Sequence, residues 1–200
     1  MLVAINRYGR NVFGPHALDD MAPFYCPECQ KTVALRRYHT KIWHFAHYPE
    51  SHCRYGENES PAHRLAKVEL YNALVKSQEV SECTVEHQIG NLRADTYAVI
   101  RGHRVAIEVQ LSDTTLQEVK TKLETYTANG VHTLYLVRDI NEGNYTPREW
   151  LRTYMPCIVR ICIVGLPDSV SLSDTWADTS GGPAKYAHRT FTSKNDRYTG

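Results

Sequence analysis

The chain places Cys26-Pro27-Glu28-Cys29, then His44-Phe45-Ala46-His47, then Cys53 in one short stretch, and no other feature restricts its folding as strongly. A Cys-x-x-Cys turn aims two sulfurs at one point, and imidazoles arriving from a following hairpin complete a tetrahedron suited to zinc. Two short strands, Thr32 to Arg36 and Lys41 to Phe45, joined by a polar turn over 37–40, would form that hairpin. Little of the segment is apolar, so the metal is what would hold it folded. Five candidate ligands compete for four places. If the His pair lies on a strand, His44 and His47 point to opposite faces, which leaves one of them a structural role. Cys26, Cys29, His47 and Cys53 are the favoured set, with His44 as the substitute should Cys53 stay free. The competing reading is a redox pair or unbound thiols.

The skew is local. Six of the ten His and three of the six Cys fall within the first 63 residues. A chain of 200 residues is long enough to bury a core in one or two domains, so its cysteines are not needed as disulfide staples. Twenty-three basic side chains against 22 acidic ones exclude a charged disordered tail and a wholesale electrostatic grip on nucleic acid. A polyanion partner must therefore be held by a local patch. The first residues reach a charge too soon for a secretory segment. The most apolar run, 157–164, carries Arg160 and is far shorter than the ~20 residues a membrane span needs. A cytoplasmic protein without membrane contact is expected.

Periodicity divides the rest. Residues 1–22 read as an opening hairpin, with alternation at Leu2, Ala4 and Asn6 and a turn at Tyr8-Gly9-Arg10-Asn11. Ser60 is a good N-cap with Pro61 at the first helical position, and Leu65, Ala66, Leu70, Ala73 and Leu74 give the run from Ala62 to Lys76 one apolar face. Three strands are expected next, Thr84 to Ile89, Arg93 to Ile100 and Arg104 to Leu111. Ser112-Asp113-Thr114 precedes a second helix, Thr115 to Ala128, which ends at Asn129-Gly130. His132 to Arg138 is a further strand. The order predicts a mixed α/β sandwich in which the meander supplies antiparallel pairs and the second helix a crossover. A helix near 147–154 and a strand over 158–164 are expected beyond it. Expected boundaries are 1–56 for the hairpin and zinc-finger-like segment, 57–165 for the α/β domain, and 166–200 for a loosely structured extension.

The strands carry a second constellation. Asp95 and Glu108 are lone acids in apolar runs, a setting that costs several kcal/mol unless the charge is paired or bound to a cation. On neighbouring antiparallel strands they can face one side, and Gln110 shares a face with Glu108. Such oxygens, with the Val109 carbonyl, can hold a hard divalent cation, Mg²⁺ or Mn²⁺, of the kind that promotes phosphodiester hydrolysis. Glu59, His63 and Lys67 stack at four-residue spacing on the preceding helix. Glu59 can complete the metal shell, and His63 or Lys67 can touch a phosphate. The plainer alternatives are a solvated charge ladder on the helix and acids paired with Arg93 or Arg104.

Taken in order, Met1-Leu2-Val3-Ala4 with Tyr8-Gly9, Tyr25-Cys26-Pro27-Glu28-Cys29, His44-Phe45-Ala46-His47, Glu59-Ser60-x-x-His63-x-x-x-Lys67, Arg93-x-Asp95 and Ile107-Glu108-x-Gln110 resemble the CoiA-type competence proteins over about residues 1–140. The resemblance implies a zinc-finger-like segment followed by a nuclease-like domain of the PD-(D/E)XK, restriction-endonuclease-like, superfamily. It implies a Mg²⁺- or Mn²⁺-dependent endo- or exodeoxyribonuclease in DNA processing, recombination or defence. Asp95 and Glu108 fall at that superfamily's metal-binding acids, and Gln110 holds the place of its usual lysine.

On this basis Asp95, Glu108 and Glu59 would bind the divalent cation, Gln110 would orient water, and His63 and Lys67 would contact phosphate. Arg36, Arg37 and Lys41, interleaved with Tyr38, Trp43 and Tyr48, would offer DNA a basic and aromatic surface. DNA is the expected partner, single-stranded or duplex, with a second copy or other DNA-processing proteins as further partner classes. The alternative is a catalytically weak or inactive nuclease-fold module that binds DNA and carries a structural zinc finger. A redox or metal sensor built on the Cys/His cluster ranks third.

Overall fold

A computed structural model describes residues 1–39, 41–56, 59–112 and 114–138, with the backbone of three later strands. The described residues form two sheets and two α-helices. β1 (Val3–Ile5), β2 (Asn11–Phe13), β3 (Phe24–Tyr25), β4 (Thr32–Arg36) and β5 (His44–His47) form an antiparallel sheet in the order β2-β1-β3-β4-β5. The expected opening hairpin is the β1–β2 pair. Its second counterpart is displaced, because β5 begins at His44 rather than Lys41 and pairs Val33 with His47 and Arg36 with His44. Phe24, Val33, Phe45 and Cys26 bury themselves in this sheet's core with Met1 and Ala4.

The second sheet follows the expected order of helix, three strands, helix, strand. α1 (Pro61–Val75) starts where Ser60 Oγ accepts the His63 N–H at 3.1 Å, with Pro61 in the first turn. β6 (Val80–Ile89), β7 (Leu92–Ile100) and β8 (His103–Gln110) make the antiparallel meander. α2 (Leu116–Ala128) is capped by Thr115, one residue beyond the expected Ser-Asp-Thr signal. Thr115 and Glu118 there form a reciprocal capping box. β9 (His132–Arg138) then pairs parallel to β8, as a helical crossover requires.

The two helices cover opposite faces. Ile107 and Val109 pack on Ala66 and Leu70 of α1, whereas Ala106, one residue out of phase, packs near Tyr126 of α2. β10 (Ile158–Cys162) adds in parallel beyond β9. β11 (Ser171–Asp174) and β12 (Arg189–Thr192) extend the sheet antiparallel, inside the stretch expected to lack regular structure. Composition hid them, since strands of four residues in Ser- and Asp-rich sequence carry no apolar alternation. The helix expected near 147–154 lies outside the described residues. Among the described helices, none is long and apolar enough to cross a membrane.

The sheets are joined by packing and by charge. Leu2 and Val3 bury against Val68 of α1 and Val85 of β6, and Phe13 meets Tyr71 with ring centroids 4.8 Å apart. The connection between them passes close to the first residue. Gly56 has φ +75°, and a Cβ there would approach the Met1 nitrogen to 2.5 Å, so glycine is required on both counts.

Candidate functional site

The first constellation assembles from three elements. Cys26 and Cys29 sit on a tight turn after β3, where the Cys26 N–H donates to the Lys31 carbonyl and the Glu28 N–H points at Cys26 Sγ, 3.3 Å away. Gln30 completes the turn with φ 59°. His47 arrives from β5, and Cys53 from the segment that follows. The four ligand atoms lie within 4.8 Å of one another. Cys26 Sγ is 3.9 Å from Cys53 Sγ, and Cys29 Sγ is 3.4 Å from His47 Nε2. Zn–S bonds of about 2.3 Å give tetrahedral S···S edges of about 3.8 Å, so the donor set fits zinc in both chemistry and size. Burial pushes the Cys26 thiol up to about 12, which disfavours a metal-free thiolate. His44 stands apart. Its Nδ1 lies 2.9 Å from the Ile42 carbonyl and its ring stacks on Tyr38, consistent with the opposite face expected of it.

The second constellation lies where α1, β6, β7 and β8 converge. His63 Nδ1 is 3.1 Å from Glu59 Oε1, and its Nε2 is 3.2 Å from Asp95 Oδ2 and 2.9 Å from the Val109 carbonyl. Asp95 Oδ2 also accepts the Val109 N–H at 2.9 Å. Burial works to lower the His63 pKa, but the hydrogen bonds to Asp95 and Glu59 outweigh it and raise it to about 9. His63 is therefore an imidazolium at neutral pH, donating from both nitrogens. Burial acts to raise the pKa of Glu59, yet His63 and Lys67 hold it down at about 2. Asp95 is likewise held below its ordinary value against burial by the His63 hydrogen bond and the Lys67 charge.

Lys67 is 4% exposed, a buried cation clamped between Glu59 and a carboxylate that sequence reasoning missed. That carboxylate is Glu86. It accepts Lys67 Nζ at 2.8 Å, the Leu2 and Val3 N–H groups at 2.8 and 3.1 Å, and the Tyr55 hydroxyl at 2.5 Å. The β6–β7 ladder pairs Val85 with Thr96 and His87 with Ala94, which sets Glu86 opposite Asp95. Glu86 has φ 53°, an arrangement that for a non-glycine residue costs about 1–3 kcal/mol and persists only where its surroundings over-determine it. A lone acid beside Val85 was the available signal, the same one that singles out Asp95 and Glu108.

Glu108 faces the other helix. It is 2% exposed, with Oε2 2.5 Å from Lys122 Nζ and Oε1 accepting the Tyr126 hydroxyl at 2.6 Å. Burial and then the charge of Asp95 push its pKa up, against the pull of Lys122 and Tyr126. Lys122 and Tyr126, spaced i,i+4 on α2, are the second group that sequence reasoning missed. The plainer pairing of these acids with Arg93 or Arg104 does not occur. Arg93 binds Glu28 and the Glu86 carbonyl, and Arg104 binds the Asn129 carbonyl.

A cleft of about 1110 Å³ opens over this region. Its lining joins Glu59, His63, Lys67, Asp95, Gln110 and Lys122 with Cys29, His52, Cys53 and Arg54 of the Cys/His segment. Gln110 is at the rim, with its amide donating to the Ser112 carbonyl at 2.7 Å. Arg36, Arg37 and Lys41 are not among the lining residues. Arg37 pairs with Asp19 at 2.6 Å and covers the Trp43 ring, and Lys41 lies over Tyr38.

Residues 15–56 match the N-terminal domain of competence protein CoiA, and residues 59–148 match the nuclease-like domain of the same protein. No curated relative matches the chain. The two matched segments follow each other almost without a gap across about two thirds of the sequence, one containing the Cys/His cluster and the other the acidic cluster, and the chain belongs to the competence protein CoiA family.

Proposed function

We propose that this chain is a metal-dependent deoxyribonuclease whose α1-β6-β7-β8-α2-β9 unit is a restriction-endonuclease-like core. The observation that carries the reading is the convergence of Asp95, Glu59 and the Val109 carbonyl on the His63 ring, all four residues lining an open cleft within the nuclease-like segment. These hard oxygens suit Mg²⁺ or Mn²⁺. Glu59 Oε2 is buried without a hydrogen-bond partner, with the Met1 ammonium 3.7 Å and the Arg64 guanidinium 4.0 Å away. When bound, the cation supplies Lewis acidity and a water of lowered pKa.

The chain's own residues do the rest. Asp95 and Glu59 would hold the cation, with Glu108, now bound by Lys122 and Tyr126, as a further carboxylate for it. His63, which bridges Glu59, Asp95 and the Val109 carbonyl, withdraws toward the cleft as an imidazolium able to meet a phosphate oxygen. Gln110 turns its amide from Ser112 to orient water. Lys67, buried between Glu59 and Glu86, keeps the two helix-side carboxylates in place. The Cys/His cluster holds a structural zinc that forms the facing wall.

Purified protein incubated with single-stranded or duplex DNA and Mg²⁺ or Mn²⁺ should cleave it. Asp95→Ala should reduce the rate at least about 100-fold, the scale lost with one transition-state-stabilising group. No cleavage above an Asp95→Ala/Glu108→Ala double variant under either metal would overturn the reading.

A second reading draws on a specific observation. His63, Lys67 and Lys122 already neutralise the acids, as they would in an inactive nuclease-fold platform that binds DNA. DNA binding without cleavage would favour it.

A further inference from the structure

The cations that sequence reasoning offered to DNA lie away from the cleft, and two of the three are engaged by neighbours. The cleft has cations of its own. Lys31 and Arg54 are exposed on the wall formed by the Cys/His segment, with His52 beside them. Among the described residues, neither Lys31 nor Arg54 forms a side-chain hydrogen bond or an ion pair. By contrast Arg93 is held by Glu28 and stacked on Tyr55, and Lys67 is buried. Gln110, Ser112 and Lys122 line the same cleft. The cleft thus offers a polyanion two exposed cations beside the recessed carboxylates.

We propose that this cleft seats one single nucleic-acid strand, with Lys31 and Arg54 of the zinc-binding lobe gripping its phosphates opposite Asp95. The inference rests on the nuclease reading above and adds where the substrate lies and in what form. Recession of the acids selects the form. Asp95 and Glu59 side chains are 18% and 8% exposed, so the reacting phosphate must enter between two walls. A flexible single strand can do so, whereas a duplex is stiff over ~150 base pairs and carries its phosphates on a convex surface. The zinc site gains a purpose beyond stability, because Lys31 follows Cys29 by two residues and Arg54 follows Cys53 directly. Fixing the sulfurs fixes both cations.

The test is fluorescence anisotropy of a labelled single-stranded oligonucleotide of about 16 nucleotides with the zinc-loaded full chain and no added divalent cation. Lys31→Ala/Arg54→Ala should weaken binding at least tenfold. It should also flatten the slope of log affinity against log salt by about 1.4, the loss of two phosphate contacts on a single strand. Arg36→Ala/Lys41→Ala should change neither quantity. If the double variant loses zinc, Arg54→Ala alone carries the test, with a slope change of about 0.7. Unchanged affinity and slope in the cleft variants, absence of wild-type binding, or preference for duplex would each overturn the proposal. Binding with the expected losses but no cleavage under any metal would leave it standing and remove the nuclease reading. Cleavage with unaffected cleft variants would do the reverse.

Discussion

The Cys/His cluster and the acidic cluster are both knots of chemically costly side chains, but the fold treats them differently. In the first, three thiols and an imidazole converge, with the Lys31 charge acting on Cys29, and burial drives the Cys26 thiol away from ionisation. In the second, four carboxylates (Glu59, Glu86, Asp95 and Glu108) are met by His63, Lys67 and Lys122 from the chain itself. On the proposed reading the first site takes a metal in order to fold, whereas the second, already paired within the chain, admits a cation only by displacing those charges.

The largest effect should come from removing the zinc. Structural zinc is worth about 10–16 kcal/mol in small zinc-finger peptides, so Cys26→Ser or a strong chelator should unfold the N-terminal sheet. Zinc analysis with circular dichroism would record it. His44→Asn is the matching control, expected to retain one zinc per chain because His44 lies outside the ligand cluster. Equal zinc loss in both variants would break the distinction between the two histidines.

Next in size is Lys67→Met, which strands Glu59 and Glu86 in a buried site. Removing one partner of a buried ion pair costs about 3–5 kcal/mol, and denaturant melts of the zinc-loaded protein should show it. Adding Glu86→Gln should restore part of the loss. If Lys67→Met is silent, the acids are not held by internal cations and the contrast fails.

A smaller effect concerns His63 in protein free of added divalent cations. Its folded pKa of about 9 stands above the unfolded value of about 6.5. The stabilisation is therefore fully present below pH 6.5 and is lost as pH rises toward 9, by about 3 kcal/mol. His63→Gln should flatten stability over that window. A wild-type profile that is already flat there would show that His63 is not the cation bridging these acids.

Much of this was legible in the sequence because it is local. The Cys-x-x-Cys spacing, the Ser60-Pro61 helix start and the apolar phase of the meander each operate within a few residues, and each has its counterpart in the structure. Glu86 was not, because its partners Leu2, Val3 and Tyr55 are distant in sequence and its left-handed backbone breaks the alternation of β6. Lys122 escaped for a related reason. On a helix with mixed charges nothing local marks a lysine that reaches a buried acid on β8. Asp95 and Glu108, expected to act together, are instead attended by opposite helices, because the Asp95 carboxylate turns to the Val109 N–H and His63 while Glu108 keeps to the α2 face.

The contrast between a fixed metal and an admitted one is tested most directly by titrating Mn²⁺ into the zinc-loaded protein and following free Mn²⁺ by electron paramagnetic resonance. The account predicts one Mn²⁺ bound per chain beside a retained zinc, with Mn²⁺ binding abolished in Asp95→Ala and zinc unchanged. Failure to bind Mn²⁺, or binding that Asp95→Ala leaves intact, would contradict it.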